Sequence, residues 1–124
     1  MIRPVVEALC YLLRTEWIIA CRGFPSLHGL LRSALPNGTG PGALSAERLC
    51  DAVDTACVLY PKSILCLQRS AATAMLLRRH GFAAEFVIGA QILPFKSHAW
   101  VELHGQVIND KSYIPELYRE LERC

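Results

Sequence analysis

The 124-residue chain balances 13 Lys and Arg against 11 Asp and Glu for a net charge of +2, with no extended basic run, which argues against a nucleic-acid partner. A hydrophobic fraction of 52% against 19% charged residues excludes a disordered chain. It predicts a single domain over residues 1–124, large enough to bury a core without staples and apolar enough to leave some surface for a partner to cover.

The first predicted helix runs from Val5 to Arg22. Val5, Leu9, Leu12, Leu13, Trp17 and Ile18 fall on a broad apolar face, and Gly23-Phe24-Pro25 ends the helix. Glu7, Arg14 and Glu16 interrupt the run, so it reads neither as a membrane span nor as a secretory signal, and a cytoplasmic location is expected. A shorter helix is expected near Ser26 to Ser33, then a flexible loop from Pro36 to Gly42.

Ser45 is a good N-cap for a helix from Ala46 to Leu59 that buries Leu49, Cys50, Val53, Ala56 and Cys57, with Pro61 stopping it. Cys66 opens the next helix, which Gly81 closes. Beyond Gly81 the hydrophobic period changes to two. Strands are expected over Ala83 to Ile92, His98 to Leu103 and Gln106 to Asn109, the last two joined by a turn at His104-Gly105. On the second strand, His98, Trp100, Glu102 and His104 share a polar face suited to a site, and Ala99, Val101 and Leu103 a core face. A last helix is expected from Pro115 to Arg123. The fold class is therefore α+β, with N-terminal helices followed by a small antiparallel sheet on which the Cys66 helix packs. Residues 1–44 form a helical N-terminal extension and residues 45–124 the core.

Six cysteines are many for this length. Without a secretory signal they are expected reduced. Cys10, Cys21, Cys50 and Cys57 sit in apolar helical patterns and read as small buried hydrophobes, and Cys124 as exposed. No Cys-x-x-Cys pair occurs and the four His are scattered, so neither a metal nor another cofactor is implied.

One thiol stands apart. Cys66 lies at a helix start, where unpaired amides and the helix dipole favour a thiolate. A His and then an acid follow on neighbouring strands, at separations of 32 and 12 residues. That is the order of a thiol site in which an imidazole moves the proton and a carboxylate or amide orients the ring. Cys66 is the candidate nucleophile and His98 the candidate general base and acid. Asp110 or its neighbour Asn109 is the orienter, since the turn at His104-Gly105 puts residues 109–111 opposite residues 98–100. Trp100 is expected to pack beside the site. Arg69, one turn into the Cys66 helix, is either a surface charge or an ion-pair partner of Asp110, Glu102 or a bound peptide.

Cys66-Leu-Gln-Arg69-Ser70, Leu-Leu-Arg-Arg-His-Gly81, Val87-Ile-Gly89, Pro94-Phe95, His98-Ala-Trp-Val-Glu102 and Gly105-Gln-Val-Ile-Asn-Asp110 together resemble the lasso peptide leader peptidases of the transglutaminase-like superfamily. The resemblance is densest from Val53 to Asp110. One departure is Gln68, where many relatives carry Pro. The resemblance selects Asp110 as the orienter and implies a cysteine peptidase with a Cys66–His98–Asp110 triad. It would cut the leader from a ribosomally made precursor peptide through a thioester. The implied partners are the precursor peptide, a separate leader-recognition protein and an ATP-dependent lasso cyclase. With 44 residues ahead of the Ser45 helix, a stand-alone peptidase without its own recognition domain is expected. Acyl transfer to an amine and a non-catalytic peptide-binding scaffold are the alternatives.

Overall fold

The computed structural model describes residues 2–23, 29, 45–61, 66–91, 96–110 and 114–124. The short helix expected near Ser26 to Ser33 lies outside the described residues except for Gly29, which is helical, and so does the loop expected from Pro36 to Gly42. The elements are α1 (Ile2–Arg22), α2 (Ala46–Leu59), α3 (Cys66–Arg79), β1 (Glu85–Gln91), β2 (Lys96–Leu103), β3 (Gln106–Val107), a one-turn α4 (Ile114–Leu117) and β4 (Arg119–Arg123).

The buried stripe of α1 is narrower than its composition suggests. Ala8, Leu12, Thr15 and Ile18 face inward and pack on α2 and α3. Leu13 and Trp17, assigned to the apolar face from sequence, are 58% and 57% exposed. At 3.6 residues per turn they lie roughly 160° round the helix from that stripe. Cys10 and Cys21 are exposed for the same reason and are not core thiols. On α2 the Ser45 side chain accepts from the Arg48 backbone N–H at 3.2 Å, and Leu49, Cys50, Ala52, Val53 and Ala56 are buried as a helical stripe.

Every residue of α3 from Ser70 to Arg78 is buried. A helix without a polar face must be enclosed, and α3 has α1 and α2 on one side and β2 and β1 on the other. Gly81, at φ 90°, and the Phe82 N–H to Leu77 C=O bond of 2.9 Å close its C-terminus.

The four strands are antiparallel in the order β3-β2-β1-β4. β1 and β2 pair with Gly89 opposite His98 and Val87 opposite Trp100. His104 and Gly105, at φ 53° and 79°, make the predicted turn, two consecutive positive φ values being what a tight hairpin needs. β3 is shorter than predicted and ends at Val107. The Ile108 N–H still reaches Val101 C=O at 3.0 Å, but the Asn109 side chain, not its backbone, then accepts from the Val101 N–H at 2.7 Å. A short amide side chain competing for a ladder bond ends the strand.

The helix expected from Pro115 to Arg123 is overturned. Only Ile114–Leu117 are helical, and Arg119–Arg123 form β4 on the outer edge of β1. Glu, Leu and Arg favour a helix locally, but tertiary pairing wins. Phe86 and Cys124 exchange two backbone bonds of 3.1 and 2.8 Å, and the buried Arg78 donates to Cys124 C=O at 2.8 Å. Among the described residues no helix is long and apolar enough to cross a membrane.

Below β1 and β2 a second small cluster forms from Val87, Trp100 and Ile114, with Tyr118 packed against it. A methyl at Gly89 would stand 2.7 Å from Trp100 Cη2 and 2.9 Å from Tyr118 Cβ. Gly89→Ala should therefore lower stability by about 1–3 kcal/mol through overpacking. Urea denaturation would read the loss, with an altered near-ultraviolet signal from Trp100.

Candidate functional site

Cys66 is the first residue of α3 and half-buried. With Leu67, Ile88, Ser97, His98 and Ala99 it lines a pocket of about 210 Å³. Helix and strand each deliver one member of the candidate pair: the start of α3 presents the thiol, and the β2 end nearest it presents the imidazole. Among the described residues no hydrogen bond joins the thiol to the ring, and the two share the pocket lining.

His98 Nε2 meets Asp110 Oδ2 at 2.6 Å, with the two side chains 20% and 17% exposed. A carboxylate only accepts, so Nε2 carries the proton and Nδ1 is the nitrogen left for exchange with a thiol. The ring stacks on Tyr118 at 5.3 Å between centroids and lies 6.2 Å from Trp100. Its position is thus set by a charge-assisted bond at one end and aromatic contact along its face.

Asn109, the alternative orienter, does not reach the ring. Its Oδ1 accepts from Val101 N–H at 2.7 Å and its Nδ2 donates to Ser70 Oγ at 2.9 Å, while Ser70 Oγ donates to Ala99 C=O at 3.0 Å. These bonds clasp α3 to β2 beside the pocket. Arg69 takes the ion-pair option: Nη2 stands 3.8 Å from Asp110 and Nη1 3.7 Å from Asp54. With Asp54, Cys57 and Cys66 it lines a second pocket of about 420 Å³. Gln68 donates to Glu16 at 3.2 Å and ties α3 to α1.

The polar face expected of β2 is closed over most of its length. Trp100 is 1% and Glu102 6% exposed, because the segment from α4 to β4 covers them. Trp100 Nε1–H donates to Glu102 at 2.8 Å, and Arg123 Nη1 donates to the other Glu102 oxygen at 3.1 Å. Glu102 is therefore an internal carboxylate with both oxygens hydrogen-bonded. Ser70 and Tyr118 were missed from sequence. Ser70 had a signal, lying one helical turn beyond Cys66. Tyr118 had none, since its contact exists only once β4 pairs with β1.

The other inner thiols are poor nucleophiles. Burial pushes Cys50 up to about 12, with Asp54, Asp51 and Glu47 adding to it. Burial also raises Cys57. No group of His, Cys, Asp and Glu suited to a metal occurs among the described residues.

The family model of the transglutaminase-like superfamily matches residues 9–123. The microcin J25-processing protein McjB of Escherichia coli is 49% identical over 45 residues, a stretch covering 36% of this chain and 22% of that protein. The alignment thus spans under a quarter of the relative's length. No solved structure matches the chain.

The buried Cys50 thiol carries a pH prediction. Its unfolded form ionises near the ordinary 9.0 and its folded form near 12, so its stabilising effect is complete below pH 9 and is lost as the pH rises through that window. Urea titrations at rising pH should show stability falling by about 1 kcal/mol per unit above pH 9, a slope that Cys50→Ala reduces.

Proposed function

Because the chain belongs to the transglutaminase-like superfamily, we propose that it is a cysteine peptidase that cleaves the leader from a ribosomally made lasso peptide precursor. The observation that carries this reading is the shared pocket of Cys66 and His98, with Asp110 holding the far nitrogen of the ring. The partial likeness to a microcin-processing protein supports the substrate class.

In the proposed reaction His98 Nδ1 takes the Cys66 proton, and the thiolate attacks the carbonyl carbon joining leader to core. The oxyanion that forms faces the first-turn amides of α3, which have no partners within the helix. Collapse forms a thioester with the leader, and His98 gives its proton to the departing core amine. Water then loses a proton to His98 and attacks the thioester; the C–S bond breaks, the leader acid leaves, and His98 returns the proton to the Cys66 thiolate. Asp110 keeps the ring in one tautomer and balances the imidazolium between steps. All three groups come from this chain, and no step calls on a metal or nucleotide.

In this reading residues 45–124 are the catalytic core, working in the cytoplasm with a separate leader-recognition protein. The released core peptide passes to an ATP-dependent cyclase. Acyl transfer to an amine uses the same first half-reaction, so the fate of the thioester separates the two activities.

Mass spectrometry of the precursor peptide, incubated with this protein and its recognition partner, tests the proposal. A single cut is expected, with the leader gaining the mass of water. Cys66→Ala should abolish it, and His98→Ala should slow it roughly a hundredfold or more. An intact precursor with all partners present defeats the peptidase reading, and a leader carrying an added amine replaces it with acyl transfer.

A further inference from the structure

Arg69 stands one turn after Cys66 on α3, between two carboxylates. Its Nη2 lies 3.8 Å from Asp110 Oδ2, the same oxygen that meets His98 Nε2 at 2.6 Å. Its Nη1 lies 3.7 Å from Asp54 Oδ1 on α2. Both separations exceed hydrogen-bond length, so the guanidinium acts on Asp110 as a charge, not as a donor. The Arg69 and Asp110 side chains are 30% and 17% exposed, and solvent screens such a pair less than one on the open surface.

Asp110 lies three residues beyond β3, past the last rung of the ladder. Its neighbour Asn109 is pinned to Val101 and Ser70, which places the Asp110 backbone. A cation beside the oxygen that faces His98 favours the carboxyl orientation in which the imidazole is held.

From this geometry we infer that Arg69 is a positioning residue for the His98–Asp110 pair, and that Asp54 aims its guanidinium. One helix then carries both the nucleophile and the charge that aligns the base with it. The inference rests on His98 serving as the base of the proposed reaction, and its test includes a readout that needs no turnover.

The test compares wild type with Arg69→Gln, Arg69→Lys and Asp54→Asn. Proton NMR follows the downfield His98 Nε2–H signal, identified by its absence in His98→Gln, and precursor cleavage gives kcat and KM. In Arg69→Gln the signal should broaden or move upfield, and kcat should fall about tenfold or more with KM unchanged, as expected of a misaligned base. Arg69→Lys should recover most of both, because charge matters here more than the fork, and Asp54→Asn should lie between.

An unchanged signal in Arg69→Gln overturns the inference. So does a loss confined to KM, which would make Arg69 a peptide-binding group, or a Lys variant no better than Gln. If Arg69→Gln does not fold, the exposed Asp54 variant decides, and unchanged signal and kcat there overturn the inference. If wild type itself leaves the precursor intact, the peptidase reading fails, and the NMR comparison still decides the positioning role.

Discussion

The contact between α3 and β2 sets everything else at the site. Ser70, buried in the second turn of α3, donates to the Ala99 carbonyl and accepts from Asn109, whose other amide atom accepts from Val101 N–H. A hydroxyl with donor and acceptor both used, inside a run of Ala and Thr side chains, lets the helix approach the strand closely without an unpaired polar group. Cys66 lies one turn before this clasp and His98 one residue before Ala99, so their separation follows from it. Asp110 follows Asn109, and its position derives from the same anchor.

Two carboxylates near β2 show how surroundings divide labour between similar groups. Glu102 is enclosed, and its two oxygens are taken by Trp100 and Arg123. Burial and full hydrogen bonding make it a strut between β2 and β4. Asp110 is half-buried at the rim of the sheet, where one oxygen meets a titratable ring and a more distant guanidinium. Sequence alone put Glu102 among the candidates because period-two alternation places it on the face of His98. Alternation states the face, and only the chain that crosses that face decides whether it is open.

The parts legible in the sequence were those set by short-range chemistry. The Ser45 cap, the start of α3 at Cys66, its stop at Gly81 and the His104-Gly105 turn all depend on a few neighbouring residues. The hairpin register followed from that turn, and with it the nearness of residues 109 and 110 to His98. Choosing Asp110 over Asn109 was beyond the pairing pattern, because the choice turns on a side chain replacing a backbone acceptor. The α1 face was misjudged since its apolar residues exceed what its two neighbours cover, leaving Leu13 and Trp17 outside. β4 was unreadable because Arg-Glu-Leu-Glu-Arg has helical composition, and its strand form depends on an edge of β1 some 29 to 36 residues earlier.

The enclosure of α3 has a consequence for motion. Nine consecutive residues, Ser70 to Arg78, are shut from solvent on every side, so their amides open to hydrogen exchange only when the domain itself opens. Cys66 stands at the first residue of this helix, half-buried, where the enclosure ends. The Cys66 sulfur thus sits at the end of an enclosed helix, at the point where that helix meets water. A group held this way needs little reorganisation to react. Any variation in what the pocket accepts then falls to the walls around the thiol and not to its position.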